Sequence, residues 1–228
     1  MLNTLSERLE DIKARMAQAC QRVGRAPDDV ALLPVSKTFP ASVLREAAAL
    51  GLNRFAENRP QELRDKSAEL ADLPVQWVLI GQLQTNKVKD VVRHASELQS
   101  LDRLALAEAL DARLQREGRA MDVLVQVKTS DEATKSGLLP EDLPAFMRAL
   151  NGMNSLRVQG LMTLAVNSDD EQAVRACFRS LRQWRDRLQQ DGFESVSRLS
   201  MGMSGDFELA IEEGATEVRV GSALFGGR

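Results

Sequence analysis

Tyrosine is absent from the 228-residue chain, and histidine occurs once, as His94. Proton-transfer chemistry that relies on a phenol therefore has no candidate here. His94 falls near the end of an expected helix, where a solvated imidazole beside the helix dipole is the ordinary reading. The two cysteines, Cys20 and Cys177, are isolated in expected helices without Cys-x-x-Cys spacing. That spacing speaks against a disulfide framework and a zinc site and leaves buried, inert thiols. Basic excess is missing too: 30 Lys and Arg are interspersed with 33 Asp and Glu, for a net charge of −3, so nucleic acid is not an expected partner. No apolar run approaches the ~18 residues that a membrane span requires. The opening Met1-Leu-Asn-Thr-Leu-Ser-Glu-Arg is charged and amphipathic and has no signal-like apolar region. A cytoplasmic protein that does not engage the membrane is the expectation.

What is present is one rhythm. After an amphipathic helix over 3–23, short apolar and β-branched runs alternate with stretches carrying apolar residues at helical spacing. The expected strands are 30–37, 54–57, 75–80, 97–101, 121–128, 158–163, 198–203 and 217–220. The expected helices between them are 41–50, 59–71, 85–94, 103–118, 140–150, 169–190 and 205–213. Alternation of this kind requires parallel strands, because each crossover returns the chain across the sheet. Eight such strands close into a single (β/α)8 TIM barrel of the α/β class, with an extra N-terminal helix and one domain over 1–228. A doubly wound open sheet is the alternative, but no Gly-x-Gly-x-x-Gly follows the first strand.

Barrel chemistry gathers where strands end and loops begin. Lys37 closes the first strand, Glu57-Asn58 the second, and Gly81-Gln-Leu-Gln84 follows the third. Ser204-Gly-Asp206 follows the seventh, and Arg219-Val-Gly221-Ser222 lies at the eighth. A lysine at the rim of a dry cavity loses its proton more readily than a surface lysine, and the neutral amine can form an imine. Backbone N–H groups at Ser204-Gly205 and Gly221-Ser222 form two halves of an anion cup, at the position after strands seven and eight where barrels commonly hold phosphate. Arg219 is open between pairing with Glu208 or Glu217 and facing a ring nitrogen or a phosphate. An amine for an aldehyde, donors for a phosphate and a polar partner for a pyridine nitrogen are what pyridoxal 5′-phosphate needs. Three functions fit: a cofactor-binding protein, a pyridoxal-dependent racemase-like enzyme on amino acids, and a Schiff-base aldolase of phosphosugars.

Pro34-Val-Ser-Lys37, Glu57-Asn58 with Gln61-Glu62, Ile80-Gly-Gln-Leu-Gln-Thr-Asn-Lys87, Lys135-Ser-Gly137, Gly160-Leu-Met162, Ser200-Met-Gly-Met-Ser-Gly-Asp206 and Arg219-Val-Gly-Ser-Ala-Leu-Phe-Gly226 follow in order along nearly the whole chain. Together they resemble the pyridoxal phosphate homeostasis protein family. The resemblance implies a barrel like the N-terminal domain of alanine racemase, with the cofactor held as a Schiff base on Lys37. It implies that Ser204, Gly205, Gly221 and Ser222 hold the phosphate, that Arg219 and Met201 lie beside the cofactor, and that Asn58 lies near its ring. It further implies a role in vitamin B6 balance, buffering the cofactor or delivering it to recipient enzymes, without catalysis. The chain departs from the family pattern at Ala56, Arg59, Val78, Gln82 and Lys128. The last adds a lysine near the mouth, read as solvated or ion-paired. A two-base racemase of this barrel type needs a proton donor opposite the lysine, and the missing tyrosine speaks against it. Helix amphipathicity is normally satisfied within the barrel's outer ring, so a monomer is expected, with a weak dimer the alternative.

Overall fold

Short runs of branched and bulky apolar residues, each cut off by glycine or polar residues, become the strands. They are β1 (Ala31–Pro34), β2 (Arg54–Glu57), β3 (Gln76–Leu79), β4 (Glu97–Leu101), β5 (Met121–Gln126), β6 (Leu156–Met162), β7 (Arg198–Ser200) and β8 (Glu217–Val220). In the computed structural model, which describes residues 4–130, 132 and 135–226, they form one parallel sheet in the order β1-β8-β7-β6-β5-β4-β3-β2. The ring closes beyond β1. Val35 bridges Ala56 in parallel, and Ser36 N–H donates to the Ala56 carbonyl at 3.0 Å. The expected (β/α)8 barrel is thus the observed architecture.

The helices are α1 (Leu5–Arg22), α2 (Ala41–Ala49), α3 (Pro60–Glu69), α4 (Val88–His94), α5 (Leu104–Arg116), α6 (Leu143–Leu150), α7 (Glu171–Gln190), α8 (Phe207–Glu212) and α9 (Ser222–Phe225). Expected helices at 85–94 and 140–150 each open with a 3-10 turn, Thr85–Lys87 and Pro140–Asp142, before the α-helix begins. The run after β8 coils into the short α9, which the sequence reading did not anticipate. Strands expected over 30–37, 121–128 and 198–203 end earlier, because their last residues leave the ladder to form the rim.

Period-two alternation sorts the strand side chains into two environments. Outward residues such as Phe55, Trp77, Leu98, Leu161 and Val218 pack with the buried helix faces in the main core. Inside the barrel, Leu33, Val35, Ala56 and Val78 form a separate apolar layer capped by Ile80. Below that layer lie four charged residues, each the first of its strand: Arg54, Glu97, Arg198 and Glu217. Arg54 meets Glu97 at 2.7 Å and also Glu217, while Arg198 meets both carboxylates at 2.9 Å. The cavity opens above the apolar layer.

α1 starts at a capping box in which Thr4 and Glu7 exchange backbone and side-chain bonds at 3.0 and 3.2 Å. Its Leu5, Leu9, Ile12, Met16 and Ala19 face is buried in the main core, where the helix lies against α8 and α9. Arg15 and Arg22 fasten it to Glu208 at 2.8 and 3.0 Å. Among the described residues, no helix is long and apolar enough to cross a membrane.

Candidate functional site

Lys37 follows the bridge that closes the barrel, so its side chain starts at the rim. It lines a cavity of about 680 Å³ together with Asn58, Ser204, Gly205, Arg219, Gly221 and Ser222. The residues that converge come from the ends of β1 and β2, the turn after β7 and the end of β8. Lys37 is exposed at the mouth of the barrel, the rim position that its sequence context suggests. Met201 is placed elsewhere. Ser200 points into the barrel to bond Gln99 and Arg219, so alternation turns Met201 outward into the main core, where it is fully buried. Gly202, at φ 92°, then redirects the chain, and Met203 reaches the cavity.

Arg219 lies on β8 and is 3 % exposed. Its guanidinium donates to Ser200 Oγ at 2.9 Å and to the Thr163 carbonyl at 2.7 Å. These bonds occupy two of an arginine's five N–H donors, and the side chain faces the cavity. Burial pulls its pKa down to about 10, against the opposing charges of Glu217 and Asp206, so it remains a cation at neutral pH. The pairing with Glu208 or Glu217 considered from the sequence is not what holds it: Glu208 binds α1, and Glu217 binds Arg54 and Arg198.

The two turns expected to form the halves of an anion cup meet through Ser204. Its Oγ accepts the N–H of Gly221 at 3.2 Å and of Ala223 at 3.3 Å. Both bonds are long, at the weak end of the usual range, so the donors are arranged but not strongly committed. Gly221 allows the close approach of the chain: a Cβ there would come within 3.1 Å of the Val35 carbonyl. A Cβ on Gly205 would meet nothing within 4 Å. The turn is tied by Asp206, whose carboxylate accepts Met203 N–H at 2.5 Å. Burial raises the Asp206 pKa, with the Met203 N–H and Arg219 opposing.

The cavity also takes Ile80, Gly81, Gln82, Gln126, Lys135, Ser136 and Met162. Gln82 donates to Ser136 Oγ across the mouth, and Gln126 Nε2 holds the Ser136 carbonyl at 2.9 Å. Lys128 is not in the lining. Beyond Gln126 the chain is covered by its own return, with Lys128 N–H on the Leu138 carbonyl at 2.9 Å, and Lys135 is the lysine that this loop brings to the cavity. Lys135 pairs with Glu132 and donates to the Ala165 carbonyl. The Lys-Ser-Gly motif and the Gly-Leu-Met162 run were the sequence signals for this wall. Of the departures, Ala56 and Val78 lie in the apolar layer beneath the cavity, Gln82 on its wall, and Arg59 exposed at the start of α3. His94 lies outside the lining at the end of α4, with Nδ1 2.9 Å from Ser67 Oγ. Cys20 and Cys177 are buried and unpaired. Among the described residues, no cluster of three His, Cys, Asp or Glu could hold a metal ion.

A buried guanidinium, a two-sided set of N–H donors and a rim amine fit a phosphorylated heteroaromatic aldehyde in charge and donor type. Comparison with known proteins points the same way. Residues 8–228 match the family model described as alanine racemase, N-terminal domain. The chain is 44% identical over 227 residues to the pyridoxal phosphate homeostasis protein of Pseudomonas aeruginosa, covering 100% of this chain and 97% of that one. The structure of PipY from Synechococcus elongatus with PLP bound superposes with a TM-score of 0.87 at 38% identity, over 98% of this chain and 100% of that one. An alanine racemase of Clostridium difficile shares the fold, with a TM-score of 0.77 at 14% identity, over 98% of this chain and 56% of the racemase.

Proposed function

The chain belongs to the pyridoxal phosphate homeostasis protein family, and from that membership we propose that it holds pyridoxal 5′-phosphate on Lys37 in the rim cavity and buffers or delivers it. The observation that carries this reading is convergence: Lys37, Arg219 and the Ser204–Gly221 cup line one cavity although they are up to 184 residues apart in the chain. The cofactor supplies an aldehyde, with which an amine condenses to a C=N bond with loss of water. Lys37 supplies the amine. Ser204, Gly205, Gly221 and Ser222 take the phosphate, Arg219 presents a buried donor to the ring, and Asn58 and Ile80 form the wall beside it.

Holding without turnover is the reading best supported by this chain's own residues. No tyrosine exists to act as a second proton donor. Lys37 is exposed, which suits exchange with solution or with a recipient enzyme better than water-excluding chemistry. The apolar face of α1 is covered by its own barrel, which favours a monomer.

The test is a titration of the purified protein with pyridoxal phosphate, followed by visible absorption, borohydride reduction and peptide mapping. A lysine-dependent band that maps to Lys37 and is lost in Lys37→Ala is expected. Equal colour without Lys37 would sink the reading. Addition of a broad amino-acid panel should leave amino-acid stereochemistry unchanged; racemisation would put the enzyme reading first. The phosphate cup has its own test in Gly205→Val. Since a Cβ there meets no protein atom, stability should stay within about 0.5 kcal/mol. The added bulk on the cavity lining should weaken cofactor binding roughly tenfold, about 1.4 kcal/mol. Unchanged affinity would move the phosphate away from this turn.

A further inference from the structure

We propose that Glu62 and Lys66, an i,i+4 pair on α3, are positioning residues that grip the two peptide groups flanking Lys37 and so aim its amine into the cavity. The inference deepens the Lys37 reading above and rests on it. On one side, Lys66 Nζ reaches back thirty residues to donate to the Ser36 carbonyl at 2.8 Å. On the other, Glu62 Oε2 accepts the Thr38 N–H at 2.9 Å. The peptide before Lys37 and the peptide after it are thereby held by neighbouring side chains of one helix, which bond each other at 3.3 Å.

The Lys66 side of the grip is buried and braced from the barrel wall, while the Glu62–Thr38 bond lies at the surface. Lys66 is 7 % exposed and Glu57 fully buried. Glu57 Oε1 accepts Lys66 at 2.6 Å and Ser36 Oγ at 2.7 Å, while its Oε2 has no hydrogen-bond partner among the described residues. Burial raises the Glu57 pKa, against the pull of Lys66 and Ser36. Strand alternation explains the layout: Ser36 and Glu57 face outward to α3, and their successors Lys37 and Asn58 face the cavity.

Thr38 shows why a grip is needed. It has φ 69°, and no other non-glycine residue among those described has a positive φ. A β-branched side chain is costly there, by roughly 1–3 kcal/mol, and such a backbone persists only where its surroundings over-determine it. Without the Glu62 acceptor and the Lys66 donor, the turn can relax to a commoner conformation and rotate the Lys37 side chain off the cavity. An ion pair that merely fastened α3 to the barrel would have no need to touch both peptides of one residue.

The experiment compares the parent with Glu62→Ala, Glu62→Gln and the double variant Glu57→Gln with Lys66→Met, which removes the buried charges together and spares the fold a lone buried ion. Two quantities are read: the rate at which the Lys37-dependent absorption band forms with pyridoxal phosphate, and amide hydrogen exchange at Thr38. Glu62→Ala and the double variant should form the band roughly tenfold more slowly, as expected for a reacting group displaced by a fraction of an ångström or more. Glu62→Gln keeps an acceptor oxygen and should recover most of the rate. Thr38 exchange should accelerate in Glu62→Ala at unchanged global stability. Unchanged band formation in Glu62→Ala and the double variant, with the band still lost in Lys37→Ala, overturns the inference. If the parent itself forms no Lys37-dependent band, the cofactor reading fails instead, and unchanged Thr38 exchange in Glu62→Ala then overturns the grip independently.

Discussion

Glu217→Ala is expected to unfold with about 3–5 kcal/mol less stability than the parent, the usual cost of breaking a buried ion pair from one side. Glu217 is 1 % exposed and accepts from Arg54, from Arg198 at 2.9 Å and from Gln99. Its removal leaves two guanidiniums to share Glu97, and the pairwise neutral floor becomes a net cation inside the barrel. Urea unfolding at pH 7 measures the loss; a difference under about 1 kcal/mol would show that the floor is solvated enough to be dispensable. The pH dependence gives an independent sign. Burial alone would raise the Glu217 pKa, but Arg54 and Arg198 outweigh it and hold the carboxyl below its ordinary value. A depressed folded-state pKa contributes stability that is complete above the unfolded carboxyl pKa of about 4.3 and is lost as pH falls through the folded value. The parent should therefore lose stability in acid through this group, and Glu217→Ala should show a shallower acid limb. The effect should reach the cavity too, because Gln99 links Glu217 to Ser200 at 2.7 Å, and Ser200 Oγ accepts Arg219 at 2.9 Å.

That interior line of polar residues marks the limit of what the sequence could reveal. Strands β2, β4 and β8 fall where the alternation of short strand-like runs and helical stretches places them, although each of the three carries charged or polar residues among its apolar ones. That Lys37, Asn58 and the Ser204-Gly205 turn line one cavity was legible because several strand ends carry polar residues together, although a lysine or a Ser-Gly turn at a single strand end has an ordinary structural reading. Glu97 and Arg198 at strand starts and Gln99 within β4 carry no sequence signal of their own, and Glu217 stands out only as a possible partner of Arg219. Their role depends on which strands become neighbours across the barrel, and Glu97 meets Arg198, 101 positions further along the chain. Met201 shows the same limit at one position. Its motif places it in the site, but the register of β7, fixed by Ser200 facing inward, points it to the core. The grip on Lys37 was equally hidden, because the spacing of Glu62 and Lys66 is that of any solvated i,i+4 pair. Only the packing of α3 against the end of β1 gives that pair something to hold.

Gly81→Ala carries the second large effect, and it separates the shape of the rim from its chemistry. A Cβ on Gly81 would lie 2.0 Å from the Asn58 carbonyl oxygen and 2.9 Å from the Asn58 Cα, all backbone and unable to swing aside. Relief requires the ends of β2 and β3 to separate by more than an ångström. The same shift strains the bond from Ser100 Oγ to the Gly81 carbonyl, now 2.6 Å. Overpacking of this kind costs roughly 1–3 kcal/mol and more where backbone must move, so a loss at the upper end of that range is expected in urea unfolding. Both Gly81 and Asn58 line the cavity, so the displaced wall should also weaken cofactor binding in the fraction that folds, by about tenfold or more. Gly205→Val is the control that makes the comparison decisive. Its Cβ falls in open space on the lining of the same cavity, so it should lose affinity alone, while Gly81→Ala loses affinity and stability together. If Gly81→Ala folds with parental stability, the approach of the β2 and β3 ends is looser than the 2.0 Å overlap requires. The wall beside Asn58 would then be adaptable, and binding selectivity would have to come from Arg219 and the Ser204 turn.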